Sequence, residues 1–233
     1  MRLLTVILIL ILGIAHSYSQ YYSKSFMYDS LNTVPDNFVI HNNNFIVVGY
    51  YPDTTINLGL KGFTSILDSV GNIKIFNTYR PSDKIQFSIS YNQSKLHRYK
   101  DLYVSAGYSA DSNADRNYLI AFIDSTGTLS NYYCIPNGTK SGTLYDITFN
   151  NGYFFCSGIK NNNTRPLILK IDTLGNKIFE IQYIFPTTLG YILPQTIIAD
   201  DSSNLLLVAS SNKEYPYPDV HNKLSLLSDK SSH

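Results

Sequence analysis

One short phrase recurs three times in this chain, and it constrains the fold more than any other feature. It reads Ile66-Leu67-Asp68-Ser69-Val70-Gly71-Asn72, then Phe122-Ile123-Asp124-Ser125-Thr126-Gly127-Thr128, then Lys170-Ile171-Asp172-Thr173-Leu174-Gly175-Asn176. Each copy closes one run of alternating apolar residues and opens another. Asp68, Asp124 and Asp172 suit a tight turn, because a carboxylate there can accept the turn's backbone N–H groups. Gly71, Gly127 and Gly175 take a positive φ without a Cβ clash. Recurrence about every fifty residues marks a repeat protein, which decides the architecture before any single residue is weighed.

Aligning the turns exposes a four-strand unit. In the clearest copy Thr143 to Phe149 is the first strand and Tyr153 to Gly158 the second. A polar loop from Lys160 to Arg165 leads to the third strand, Leu167 to Asp172, and Lys177 to Tyr183 is the fourth. The preceding copy runs Ile85 to Tyr91, Leu102 to Gly107, a polar loop Tyr108 to Arg116, Tyr118 to Asp124 and Leu129 to Ile135. The second strands are near-continuous apolar runs, as in Phe45-Ile46-Val47-Val48 and Tyr153-Phe154-Phe155-Cys156. Such runs belong to strands buried on both faces. Gly49, Gly107 and Gly158 close them, which implies close approach of a neighbouring backbone. The expected fold is therefore all-β: a β-propeller of four-stranded antiparallel blades.

About four blades are present, roughly 30–80, 83–135, 143–184 and 192–229, within a repeat domain spanning 20–233. Two closures fit this count. In one, Tyr21 to Tyr28, which resembles the fourth strands, completes the last blade and closes a small ring, satisfying an exposed edge. In the other the chain is the N-terminal part of a larger propeller. The second is preferred, because the chain stops at His233 where earlier copies continue.

The segment Leu167 to Phe179, apolar residues followed by Lys-Ile-Asp-Thr-x-Gly-Asn and an aromatic-bearing strand, resembles the propeller repeats of secreted and cell-surface bacterial proteins, especially of the Bacteroidetes type. The blade layout is also similar to the quinoprotein-type propeller. The resemblance implies a packing scheme and a surface location rather than a reaction. The chain has no Trp, which speaks against the docking used in quinoprotein blades, and no cofactor is expected.

Residues 1–19 read as a secretory signal peptide: Arg2, an apolar stretch from Leu3 to Ile14, then Ser17-Tyr18-Ser19. That stretch is too short for a stable anchor across a hydrocarbon core about 30 Å thick. The mature chain is expected to begin at Gln20, to carry no membrane span, and to act outside the cell or at its outer surface. Cleavage removes only one cation from 18 Lys and Arg against 17 Asp and Glu. A neutral chain without a basic run argues against nucleic acid as a partner. The two cysteines, Cys134 and Cys156, fall on an outer strand and an inner strand of adjacent repeats, so free thiols are the favoured state.

No catalytic motif stands out. The turn aspartates are expected to be structural and far apart. Asp111-Ser112-Asn113-Ala114-Asp115 begins like a calcium loop but has Arg116 where Gly is needed. His41, His97, His221 and His233 share no metal-ligand spacing, so no metal is expected. Asn92, Asn137 and Asn162 head glycosylation acceptor patterns. Tyr50, Tyr51, Tyr108, Tyr215 and Tyr217 lie in or beside loops between second and third strands, where a rigid aromatic with a polar tip can stack on sugar or anchor a partner. The sequence therefore reads as a secreted, non-catalytic module that binds glycan or protein at a cell surface. The alternatives are an extracellular glycan-active enzyme whose acids lie on missing blades, or a structural spacer.

Overall fold

The computed structural model describes residues 27–28, 31–90, 95–113, 115–139, 141–160, 165–183, 192–200, 204–211 and 223–227. All regular structure among them is strand. A hairpin of β1 (Met27–Tyr28) and β2 (Leu31–Asn32) precedes the first blade, formed by β3 (Val34–His41), β4 (Asn44–Asp53), β5 (Gly59–Leu67) and β6 (Ile73–Tyr79). The second holds β7 (Lys84–Ser88), β8 (His97–Tyr99), β9 (Leu102–Asp111), β10 (Arg116–Asp124) and β11 (Leu129–Thr139). The third is β12 (Gly142–Asn150), β13 (Tyr153–Lys160), β14 (Arg165–Asp172) and β15 (Lys177–Gln182). The fourth is β16 (Ile192–Ala199), β17 (Leu205–Ser211) and β18 (Lys223–Leu227). Strands within a blade pair antiparallel, and one parallel bridge, Leu60 to Gln86, ties the first blade to the second. The chain is a β-propeller.

Side-chain parity explains the stacking. Successive residues of a strand point to opposite faces. On β10, Tyr118, Ile120 and Phe122 join Leu144, Phe154, Leu167 and Leu169 of the third blade. The alternate residues Leu119, Ala121 and Ile123 join Ile46 and Val48 of the first. Phe155 and Ile168 repeat the scheme toward Ile197, Leu205 and Leu207 of the fourth blade. At the ends of the stack this covering thins. Phe38 and Ile40 on β3 are 57% and 63% exposed, and Ile198 on β16 is 50% exposed.

Gly49, Gly107 and Gly158, expected to close the second strands, lie inside them, because β4, β9 and β13 run on to Asp53, Asp111 and Lys160. A Cβ on Gly49, Gly107 or Gly158 would overlap the carbonyl oxygen of Val34, Ser88 or Thr143, each on the first strand of the same blade. The turns are built as expected for their residues. Asp68 Oδ1 accepts the N–H of Val70 at 3.0 Å and of Asn72 at 2.8 Å, and Asp172 Oδ1 those of Leu174 and Asn176 at 2.9 and 2.8 Å. The Asn72 N–H, foremost, holds the Asp68 carboxyl below its ordinary range, and the Asn176 side chain does so for Asp172.

The turns of the second and third blades also do something the sequence does not announce: each docks on the blade before it. The Gly127 carbonyl accepts hydrogen bonds from Thr64, from Asn77 Nδ2 at 3.1 Å and from the Tyr79 hydroxyl at 3.2 Å, all on the first blade. In the third blade, Gly175 lies against the Tyr133 ring of the second, and the Tyr133 hydroxyl donates to the Thr173 carbonyl at 2.9 Å. Glycine is therefore required twice over, for a positive φ of 73° or 87° and for contact with the neighbour.

Several expectations need correction. The first strand of the second blade is not one run from Ile85 to Tyr91 but two pieces, β7 and β8, both paired with β9. The stretch expected as a polar loop, Tyr108 to Arg116, is mostly strand, because β9 extends to Asp111. Met27 and Tyr28 pair with Asn32 and Leu31 rather than with β18, whose one ladder partner among the described residues is β17. Tyr21 to Phe26 and the signal sequence lie outside the described residues. Cys134 and Cys156 are free thiols that belong to different interblade layers, on opposite sides of the second blade.

Gly107→Ala should lower stability by roughly 1–3 kcal/mol, the usual cost of forced overpacking. Gly152→Ala, at a positive φ but facing open space, should cost about 1 kcal/mol through backbone strain alone. Urea midpoints of the two variants measure the difference.

Candidate functional site

β12 and β16, the first strands of the third and fourth blades, lie against one another, and irregularities of the first strands decide what gathers there. Register shifts fall between Pro35 and Asn37, between Leu144 and Asp146, and between Pro194 and Thr196. Each lies opposite a small residue within the second strand: Gly49, Gly158 or Ala209. A bulge re-aims the side chain that follows it. In the second blade the chain instead leaves the ladder after Ser88 and returns at His97, opposite Val104.

These departures assemble one polar cluster from three blades. Asp146, fully buried on β12, accepts from His97 Nε2 at 3.1 Å through Oδ1. Its Oδ2 accepts the Thr196 hydroxyl at 2.5 Å and the Ile197 N–H at 3.0 Å, both from β16. Lys95, exposed at the end of the excursion, donates to the Thr196 hydroxyl at 3.1 Å. A buried carboxylate must be paired and hydrogen-bonded to persist, and this one is. It also fixes the histidine. With Nε2–H committed to Asp146, the free lone pair lies on Nδ1, which meets no hydrogen-bond partner among the described residues. The His97 side chain is 32% exposed, so the cluster opens to solvent through the imidazole and the lysine.

A second charged cluster is structural. Asp53 at the end of β4, 3% exposed, accepts from the Thr55 hydroxyl at 2.6 Å and Arg80 Nε at 2.8 Å, with Lys61 Nζ at 3.4 Å. Arg80 Nη1 donates onward to the Lys84 carbonyl at 2.6 Å and so ties the first blade to the second. Burial alone raises the Asp53 carboxyl, but the bonds from Thr55 and Arg80 and the Lys61 charge outweigh it and bring it down to about 2.

Among the described residues, the tyrosines singled out in the sequence do not form a platform. Tyr51 is 5% exposed and packs toward Phe76 within the first blade, and Tyr108 is 3% exposed beneath the Arg116 guanidinium at 4.3 Å. Neither presents a face to a ligand. Tyr50 is half-buried on β4, and Tyr215 and Tyr217 lie outside the described residues. Asn137 is 3% exposed, which removes it as a glycosylation acceptor; Asn92 and Asn162 lie outside the described residues. Asp111 spends Oδ1 on the N–H groups of Asn113 and Asp115, closing a turn. No group of three metal-ligating side chains occurs among the described residues, and no helix among them is long and apolar enough to cross a membrane. His97, dismissed on spacing, is the residue that sequence reasoning missed. Its partner Asp146 is 49 residues away, and Thr196, bound to the same carboxylate, lies 50 residues beyond that, so only the blade stack brings them near.

No known protein family matches the sequence, and no curated protein matches it. Solved structures do. An exo-β-1,3-galactanase from Phanerochaete chrysosporium superimposes with a TM-score of 0.50 at 12% identity, over 80% of this chain and 43% of that one. An α-L-arabinofuranosidase from Lactobacillus brevis does so with a TM-score of 0.52 at 9% identity, over 87% of this chain and 74% of that one. The chain thus spans under half the length of the galactanase. Identities this low speak to the shared fold.

Asp146→Ala leaves three donors facing an empty site and should cost roughly 1–3 kcal/mol, the range for leaving a buried polar group unsatisfied. The chemical denaturation midpoint reads it. Asp53 gives a pH signature. Its folded carboxyl at about 2, against an ordinary 3.8, contributes roughly 2 kcal/mol that is fully present above pH 4 and lost as pH falls through 2. Stability of Asp53→Asn, followed by urea melts across that window, should lack this part of the acid dependence.

Proposed function

We propose that this protein is an extracellular propeller directed at glycans, exported after cleavage before Gln20, with a saccharide engaged at the inner edge where three blades meet. The observation that carries the reading is the convergence of His97, Asp146, Thr196 and Lys95 from separate blades. A half-exposed imidazole with a free Nδ1, oriented by a buried carboxylate, can accept a hydrogen bond or a proton from a bound hydroxyl. Propeller ligand sites belong where loops and inner strands converge, since only there do several blades contribute to one concavity.

The two superimposable structures are a galactanase and an arabinofuranosidase by name, which makes sugar the first ligand class to try by fold analogy. They favour glycan processing over the purely non-catalytic module that the sequence prefers. The carboxylate pair used in ordinary glycoside hydrolysis has no counterpart in the axial cluster, whose one acid is fully committed. The part this supports for the cluster is binding and orientation, and a hydrolytic acid pair would have to come from outside it.

The full-length protein, incubated with a panel of plant and microbial polysaccharides, should retain at least one on affinity electrophoresis. His97→Gln should reduce that retention while the melting curve stays cooperative. New reducing ends would identify a glycan-active enzyme, and retention without them an interaction module. Retention of no glycan at all would sink the reading.

A further inference from the structure

The approach to β8 delivers two nitrogen-bearing side chains, an ammonium and an imidazole, to the cluster. Lys95 and His97 both reach the Thr196–Asp146 pair, while Leu96 between them packs into the apolar layer shared with Ile46, Phe87 and Leu119. Lys95 is exposed and has a neutral hydroxyl, Thr196, as its partner; no carboxylate pairs with it among the described residues. Asp146, the one acid of the cluster, is fully buried and spends both oxygens on His97, Thr196 and Ile197. What the cluster shows to solvent is therefore an ammonium group and an imidazole edge, with its negative charge hidden behind them.

We propose that this Lys95–His97 edge is a carboxylate-binding subsite, so that the glycan engaged by the propeller is an acidic one built from uronic-acid-type sugars. The proposal rests on the glycan reading above and narrows it to a substrate class. A sugar carboxylate placed there takes an ammonium donor from Lys95 and, from His97, an Nδ1–H bond when the ring carries two protons. The imidazolium then bridges two carboxylates, Asp146 on Nε2 and the ligand on Nδ1, each through a charge-assisted bond. A neutral sugar offers the same groups hydroxyls alone, and so lacks the doubly charge-assisted bonds that a carboxylate forms. Neutral rings favour aromatic platforms, and the aromatic nearest in sequence, Tyr99, is engaged instead by Phe122, Phe149 and Phe154 at centroid distances of 6.4, 4.6 and 4.9 Å.

Titration calorimetry of the full-length protein with an oligogalacturonate, its methyl ester and a neutral oligosaccharide of equal length tests this. The acid form should bind, and both esterification and Lys95→Gln should weaken it by about tenfold or more, the scale of one charge-assisted contact. Added salt should weaken the acid form alone. Lys95 is exposed, so its variant should melt like the parent, and His97→Gln gives a second, buried-side reading of the same loss. Equal binding of acid and ester, or an unchanged affinity in Lys95→Gln, overturns the proposal. Binding confined to neutral oligosaccharides overturns it while leaving the glycan reading standing. Binding of none, acidic or neutral, overturns both.

Discussion

Each blade here is a sheet with two apolar faces, and neither face can be left to water. Burying one Ile, Leu or Phe side chain is worth roughly 1.5–3 kcal/mol, against about 1 kcal/mol net for an ordinary hydrogen bond. Tyr118, Ile120 and Phe122 on one face of β10, and Leu119, Ala121 and Ile123 on the other, therefore commit the second blade to neighbours on both sides. Hydrogen bonding closes each blade internally, but it is this two-sided packing that stacks them. The docked turns at Gly127 and Gly175 are consequences, because blades pressed this closely leave no room there for a Cβ against Ile66 or Tyr133 of the neighbour, whereas the glycines at 49, 107 and 158 answer to the first strand of their own blade.

The same constraint explains what could be read from the sequence. The alternation of apolar residues, the Asp-x-x-Gly corners and the apolar second strands are local patterns, and a local pattern survives whatever packs on it. Strand class and the four-strand repeat were legible for that reason. Long-range consequences were not. The Asp124 and Asp172 corners look like ordinary hairpin turns, and nothing in their spelling says that Thr64, Asn77 and Tyr79, about fifty residues earlier, will hold Gly127. Tyr51 and Tyr108 looked like loop aromatics because the strands carrying them run further than turn residues indicate.

The axial cluster was hidden for a different reason. Its members sit at departures from the repeat: bulges before Asp146 and Thr196, and an excursion in the second blade that ends at His97. A reading that aligns copies against one another treats such departures as noise. Physically they are the positions where a side chain is released from the two packed faces and can turn toward the axis. The repeat builds the wall, and the exceptions to it supply the chemistry.

Asp146 shows how the two are joined. Without its carboxylate, the Ile197 N–H and the Thr196 hydroxyl of the fourth blade and the imidazole of the second have no common acceptor. A hydrophobic residue of similar size could pack there, and buried ion pairs are often no more stabilising than such a replacement. Stability alone therefore does not account for an acid at this point. Orientation does, since a carboxylate on Nε2 leaves Nδ1 and the neighbouring Lys95 facing outward in a fixed arrangement, which no apolar side chain could impose. A group that is fully buried, costly to desolvate and aimed at an exposed imidazole is better explained by what it presents to solvent than by what it holds together.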